Sequence, residues 1–153
     1  MTKKIFSDIQ SIKDAIGQEV SVSEWFDITQ ERINAFADAT GDHQWIHIDP
    51  IRAKTESPFK RTIAHGYFTL SLIAKFSGEC IGNNNTKMAI NYGANKVRFA
   101  SPVTVDSKIR AHFKLDTVEE IEGGVQVQWL ITIEIEGQQK PACVAETLTR
   151  WYF

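Results

Sequence analysis

The spacing of apolar residues changes period along the chain, and each change predicts an element. Ile9, Ile12 and Ile16 recur at helical spacing within residues 7–16 and stop at Gly17, the pattern of a short amphipathic helix. Val20 and Val22 then alternate, as a strand does. Ile33, Phe36, Ala37 and Thr40 return to a period near 3.6, with Thr29 placed to cap a helix over 30–40 and Gly41 placed to end it. Residues 63–74 are apolar on most sides, which reads as a fully buried helix starting near Ala64 to Gly66. After the loop signal Gly82-Asn83-Asn84-Asn85 the period becomes two. Ile109, Ala111, Phe113 and Leu115 share one face, and Val125, Val127, Trp129, Ile131, Ile133 and Ile135 share another. Gly123-Gly124 and Gly137-Gln138 mark hairpin turns, and 142–152 reads as the closing strand.

A long buried helix followed by antiparallel strands predicts an α+β domain in which a curved sheet wraps one helix. With 153 residues, one domain over 1–153 can build an ordinary core without disulfide or metal. A net charge of −2 and a pI near 6.1, without a long basic run, argue against a nucleic-acid surface. No stretch approaches the roughly 20 apolar residues that cross a bilayer. The Met1 to Phe6 segment lacks the apolar centre of a signal peptide. Cys80 and Cys143 have neither metal-ligand nor disulfide-framework spacing. These features predict a reduced, cytoplasmic protein.

Candidate chemistry concentrates in residues 36–76. Asp42 and His47, five residues apart, would point roughly 140° from each other on a continuous helix, so a loop must turn both inward. Asp49-Pro50 reads as an N-cap and first-turn proline opening a short helix over Ile51, Ala53 and Lys54. His47 is the natural general base or acid near neutral pH, and Asp42 can hold the same water. At the start of the buried helix, the Gly66 N–H lies among groups without helical partners and next to about half a positive charge, a place for an oxyanion. Each has a plainer reading: Asp42 as a turn residue, His47 as a satisfied core histidine. His43 and Asp49 carry donor atoms suited to a metal, but Asp49 is better used as a cap. Lys96 and Arg98, on one face of a strand over 91–99, could meet phosphates; a solvated face or an interface ion pair fits them equally, as it does Lys60 and Arg61.

Gly41-Asp42-x-x-x-x-His47, Asp49-Pro50, Ala64-His65-Gly66 and Asn91-Tyr92-Gly93-x-Asn95-Lys96-Val97-Arg98-Phe99 together resemble the MaoC-like dehydratases, the R-specific enoyl-CoA hydratases of hotdog fold. The resemblance runs from about Phe26 to the C-terminus. It departs from the better-studied motif at Gln44-Trp45, where that motif has Asn-Pro, so the natural acyl substrate does not carry over. The resemblance implies a central helix around 66–78 and a homodimer joined sheet edge to sheet edge. It implies catalysis by Asp42, His47 and the Gly66 N–H, with a water between the two side chains and syn addition giving an (R)-3-hydroxyacyl thioester. Gln44, Trp45, His65, Lys96 and Arg98 become substrate-side candidates, His65 reading as a residue that orients the loop or the helix start rather than reacting. The implied substrate is an acyl-CoA or carrier-linked acyl thioester, with coenzyme A part of the substrate and neither a separate cofactor nor a metal. A hotdog thioesterase, directing water at the carbonyl, and a noncatalytic acyl-thioester-binding protein are the alternatives.

Overall fold

The computed structural model describes residues 3–153. Its framework is an antiparallel sheet built from β2 (Glu19–Val22), β3 (Phe26–Asp27), β5 (Met88–Phe99), β6 (Lys108–Ile121), β7 (Gly124–Ile135) and β8 (Cys143–Tyr152). The order is β2-β6-β7-β8-β5, with β3 also on β6. The remaining strands, β1 (Lys4–Phe6) and β4 (Ile81–Asn83), form a separate parallel pair. Among the described residues five helices precede or interrupt the strands: α1 (Ile9–Lys13), α2 (Gln30–Thr40), α3 (Trp45–Ile48), α4 (Pro50–Glu56) and α5 (Gly66–Cys80).

Alternation explains the sheet. Every second residue of β7 from Val125 to Ile135 is buried, and β6 matches it from Ile109 to Leu115 in register, with Ala111 opposite Ile133 and Phe113 opposite Ile131. A bulge between Leu115 and Thr117 ends that alternation, and Asp116, set out of register, accepts from Gln128 Nε2 at 2.7 Å. Against this apolar face α5 buries Phe68, Leu72, Ile73 and Phe76 in the same core cluster. The arrangement meets the expectation of an α+β fold with a sheet wrapped around a central helix.

Several expectations need correction. The central helix is not buried on all sides: Tyr67, Ser71, Ala74 and Gly78, one stripe of α5, are exposed, because the sheet covers only the opposite face. The first helix is shorter than 7–16. Asp8 caps it through a reciprocal box with Ser11, the α-helix ends at Lys13 and gives way to tighter turns, and Ile16 is exposed. The Gly82 to Asn85 segment begins as β4 and turns only from Asn83, where Asn85 N–H bonds Asn83 Oδ1. Strand β5 starts at Met88 rather than 91. Among the described residues no helix is long and apolar enough to cross a membrane.

Candidate active site

Helix α2 starts where Thr29 Oγ1 accepts from Arg32 N–H and stops where Gly41 takes φ 78°, its N–H on Ala37 O at 2.8 Å. The reversal delivers Asp42 at once. The next residues do not stay a loop, as expected, but close a single turn of helix, α3, which carries His47. That turn is too short to stand by itself and is stitched from outside. Ile63 N–H donates to Ile46 O at 3.0 Å, and Gln30 Nε2 donates to His47 O at 2.7 Å. Asp49 then caps α4 through Arg52 N–H at 2.9 Å, ahead of Pro50, as the Asp-Pro pair predicts.

Asp42, His47 and His65 bring one ligating atom each to within 4.8 Å of one another. The side chain of His47 is buried and its Nδ1 lies 2.7 Å from Ile63 O. A carbonyl only accepts, so Nδ1 carries the proton and Nε2 is left as the basic nitrogen. Burial pushes the His47 pKa below its ordinary 6.5; the Ile63 carbonyl pulls the other way, the His65 ring adds to the lowering, and Asp42 opposes it. Asp42 keeps its side chain 54% exposed, open to water. Its Oδ1 accepts from Gln44 N–H at 3.4 Å.

His65 is the N-cap residue of α5 and makes no capping bond there. Its Nε2 lies 3.0 Å from Asp42 O, closer than the 3.9 Å to Asp42 Oδ2. Its ring stacks on His47 with centroids 3.7 Å apart and planes 25° from parallel. As the first helical residue Gly66 has no helical acceptor for its N–H. A Cβ at Gly66 would sit 3.0 Å from the Phe99 ring, so the glycine is set by the close approach of β5.

Of the other sequence candidates, Gln44 is exposed and Trp45 half-buried, its ring under the Arg52 guanidinium at 4.3 Å. Lys96 and Arg98 stand exposed on β5, and Arg98 Nη1 donates to Val97 O at 2.7 Å. Lys60 Nζ bonds Thr55 O and Arg61 is exposed. His43 pairs with Asp38 at 2.9 Å and Asp49 is spent on its cap, so they do not converge as metal donors. Among the described residues, Asp42, His47 and His65 are crowded enough to suggest an ion. The stacked rings argue otherwise, because imidazole lone pairs lie in the ring plane and here run side by side instead of meeting. Gln30 and Ile63, which hold His47 through main-chain groups and a carboxamide, carry no local signal in the sequence.

Cavities lie along α5 from Leu70 onward. A cavity of about 200 Å³ lies between α5 and β5, β7 and β8, lined by Leu70, Ile73, Ala94 and Trp129 among others. A second of about 360 Å³ adjoins it, sharing Ala74, Ser77, Asn91 and Thr149.

Residues 11–134 match the model of the MaoC like domain. The 3-hydroxyacyl-thioester dehydratase Z of Mycobacterium tuberculosis is 48% identical over 149 residues, covering 97% of this chain and 98% of that one. In structure the chain is similar to a monoamine oxidase regulatory protein from Archaeoglobus fulgius, with TM-score 0.80 and 20% identity over 100% of this chain and 99% of that one. It is also similar to an (R)-hydratase from A. caviae involved in PHA biosynthesis, with TM-score 0.69 and 23% identity over 88% and 94%. The fold is the hotdog fold, and the chain belongs to the MaoC-like dehydratase family.

Proposed function

We propose that this chain is a hydro-lyase that interconverts a 2-enoyl thioester and the (R)-3-hydroxyacyl thioester, with the acyl group on coenzyme A or a carrier. The observation that carries the reading is the convergence of the Asp42 carboxylate, open to water, and the His47 imidazole, whose Nε2 is proton-free, beside the uncapped start of α5. The dehydratase class is supported by family membership and by 48% identity to a protein named for dehydrating 3-hydroxyacyl thioesters.

In the hydration direction, Asp42 accepts a hydrogen bond from the attacking water and His47 Nε2 removes its proton as oxygen bonds to C3. The C2–C3 π electrons move toward the thioester, and the enolate oxygen is met by the Gly66 N–H with the positive end of α5 behind it. The proton taken up by the site is returned to C2, so one water is added and the site is restored. A single base side supplying both hydroxyl and proton gives syn addition. The (R) outcome is supported by the likeness to an (R)-hydratase fold. The cavities along α5 from Leu70 onward are where the acyl chain would lie, while Lys96 and Arg98 on the β5 edge would face the phosphates of coenzyme A. No separate cofactor is required by this scheme.

The test follows the ultraviolet absorbance of conjugated enoyl-CoA, short and medium chain, with native protein, Asp42→Asn and His47→Gln. The expected result is loss of the double bond without free thiol for native protein, and a rate lower by about 10²–10⁴-fold in each folded variant. Release of thiol would establish the thioesterase chemistry instead, and binding without turnover the noncatalytic alternative.

A further inference from the structure

His65 is poorly explained as a stability residue. A helix of 15 residues is normally opened by Ser, Thr, Asp or Asn, whose side chain accepts from the first N–H groups, and His65 forms no such bond. It is 3% exposed, yet its Nδ1 is buried without a partner, an uncommon condition for a polar atom inside a fold. What the ring does instead is touch both residues of the pair, Asp42 through its main chain and His47 through its ring. Its Nε2 faces Asp42 O at 3.0 Å and must carry the proton, because the carbonyl can only accept. One side of the ring stacks on His47 at 3.7 Å, and the Phe36 ring packs against it at 5.1 Å.

Asp42 is otherwise lightly held. It follows the left-handed Gly41, and its own local bonds, to Thr40 Oγ1 at 3.5 Å and from Gln44 N–H at 3.4 Å, are long. The contact from His65, 23 residues away in sequence, is the short one. His47 meanwhile is fixed through Ile63 and Gln30. We propose that His65 is a positioning residue: by donating to the Asp42 carbonyl while stacking on the His47 ring, it sets the separation of the two groups that share the attacking water. The inference rests on the hydratase reading of the site. The titratable groups facing the ring are Asp42, from the α2–α3 connection, and His47, from α3. The ring next to His47 also contributes to holding that imidazole below its ordinary range.

Two variants separate the contacts, since His65→Gln keeps a donor for Asp42 and loses the ring, whereas His65→Phe keeps a ring and loses the donor. In folded enzyme both should lose kcat, by up to about 100-fold, with KM changed little, since a misplacement near 1 Å has that effect. Removing the ring should also move the His47 titration, followed by imidazole NMR, to higher pH, which a mere loss of folded protein would not do. Native kcat and an unmoved His47 titration in both folded variants would overturn the proposal. If neither variant folds, the native protein still decides: nitrogen NMR should show His65 protonated at Nε2, and protonation at Nδ1 would overturn it. Absent hydratase turnover in native protein would refute the reaction assigned to the site, whereas the tautomer and the titration shift report on His65 without turnover.

Discussion

At the residue scale, His47 is held between a push and a pull. Burial disfavours its cation and the Ile63 carbonyl favours it, with burial the larger, so its pKa lies below 6.5. A base must be unprotonated, and a lowered pKa keeps it so to lower pH. The acid limb of kcat/KM is therefore expected below 6.5. Linkage gives stability the matching sign. The unfolded chain binds a proton at His47 near 6.5 and the folded chain does not, so this residue's contribution falls as pH drops through 6.5 toward the folded value. A pH–rate profile checks the first statement and urea unfolding of native protein against His47→Gln at several pH values the second. An acid limb at or above 6.5 would contradict the assignment of His47 as base. His43, exposed and raised by its bond to Asp38, titrates on the other side of the ordinary value and serves as an internal contrast.

At the element scale, two glycines hold their places for different reasons, and the difference is measurable. Gly41 ends α2 with φ 78° and open space where a Cβ would go. Gly41→Ala should therefore lose about 1–2 kcal/mol, from the backbone alone. Gly124, in extended backbone at the start of β7, would put a Cβ 1.9 Å from Trp151 O, inside the β7–β8 ladder. Gly124→Ala must displace that strand and should be the more destabilising of the two. Urea midpoints of the folded variants give the order. The reverse order would mean that the sheet yields here more easily than the helix end. Element boundaries show what local pattern can and cannot reveal. The caps at Thr29, Gly41 and Asp49 are visible in the sequence because capping is a contest among neighbouring atoms. The turn of α3 is not, because it is held by Ile63 and Gln30, remote in sequence and unremarkable in type.

At the scale of the whole molecule, β5 stands out. It is a twelve-residue edge strand bonded only to β8 among the described strands, with Met88, Ile90, Tyr92 and Phe99 exposed. Beside it lies the uncovered stripe of α5 with Tyr67 73% exposed. A long apolar edge invites pairing with another strand. A homodimer joined along β5 would cover it. Sedimentation should give twice the 17.3 kDa chain mass, and a Met88→Glu, Ile90→Glu double variant should shift the protein toward monomer while its far-ultraviolet dichroism is kept. A native protein that stays at 17.3 kDa across micromolar concentrations would remove the edge-pairing model. The same experiment read with the activity assay shows whether the site needs the partner.

What the sequence by itself determined is whatever depends on neighbours in the chain. Its alternation selected the buried face of β6 and β7, its caps bounded α2 and α4, and its Asp42-to-His47 interval placed a carboxylate and an imidazole on one short span. Tertiary structure decided what depends on distance through space. It folded α3 from a stretch with no helical period, and it exposed one side of a helix whose composition reads as buried. It drew β4 out of an apparent loop through pairing with β1. It also stacked His65 on His47 and chose the proton-bearing nitrogen of each ring by placing the Asp42 and Ile63 carbonyls beside them. Periodicity and capping energies are local and survive in a one-dimensional record. A tautomer, a ring stack or the open side of a helix exists only once remote segments meet.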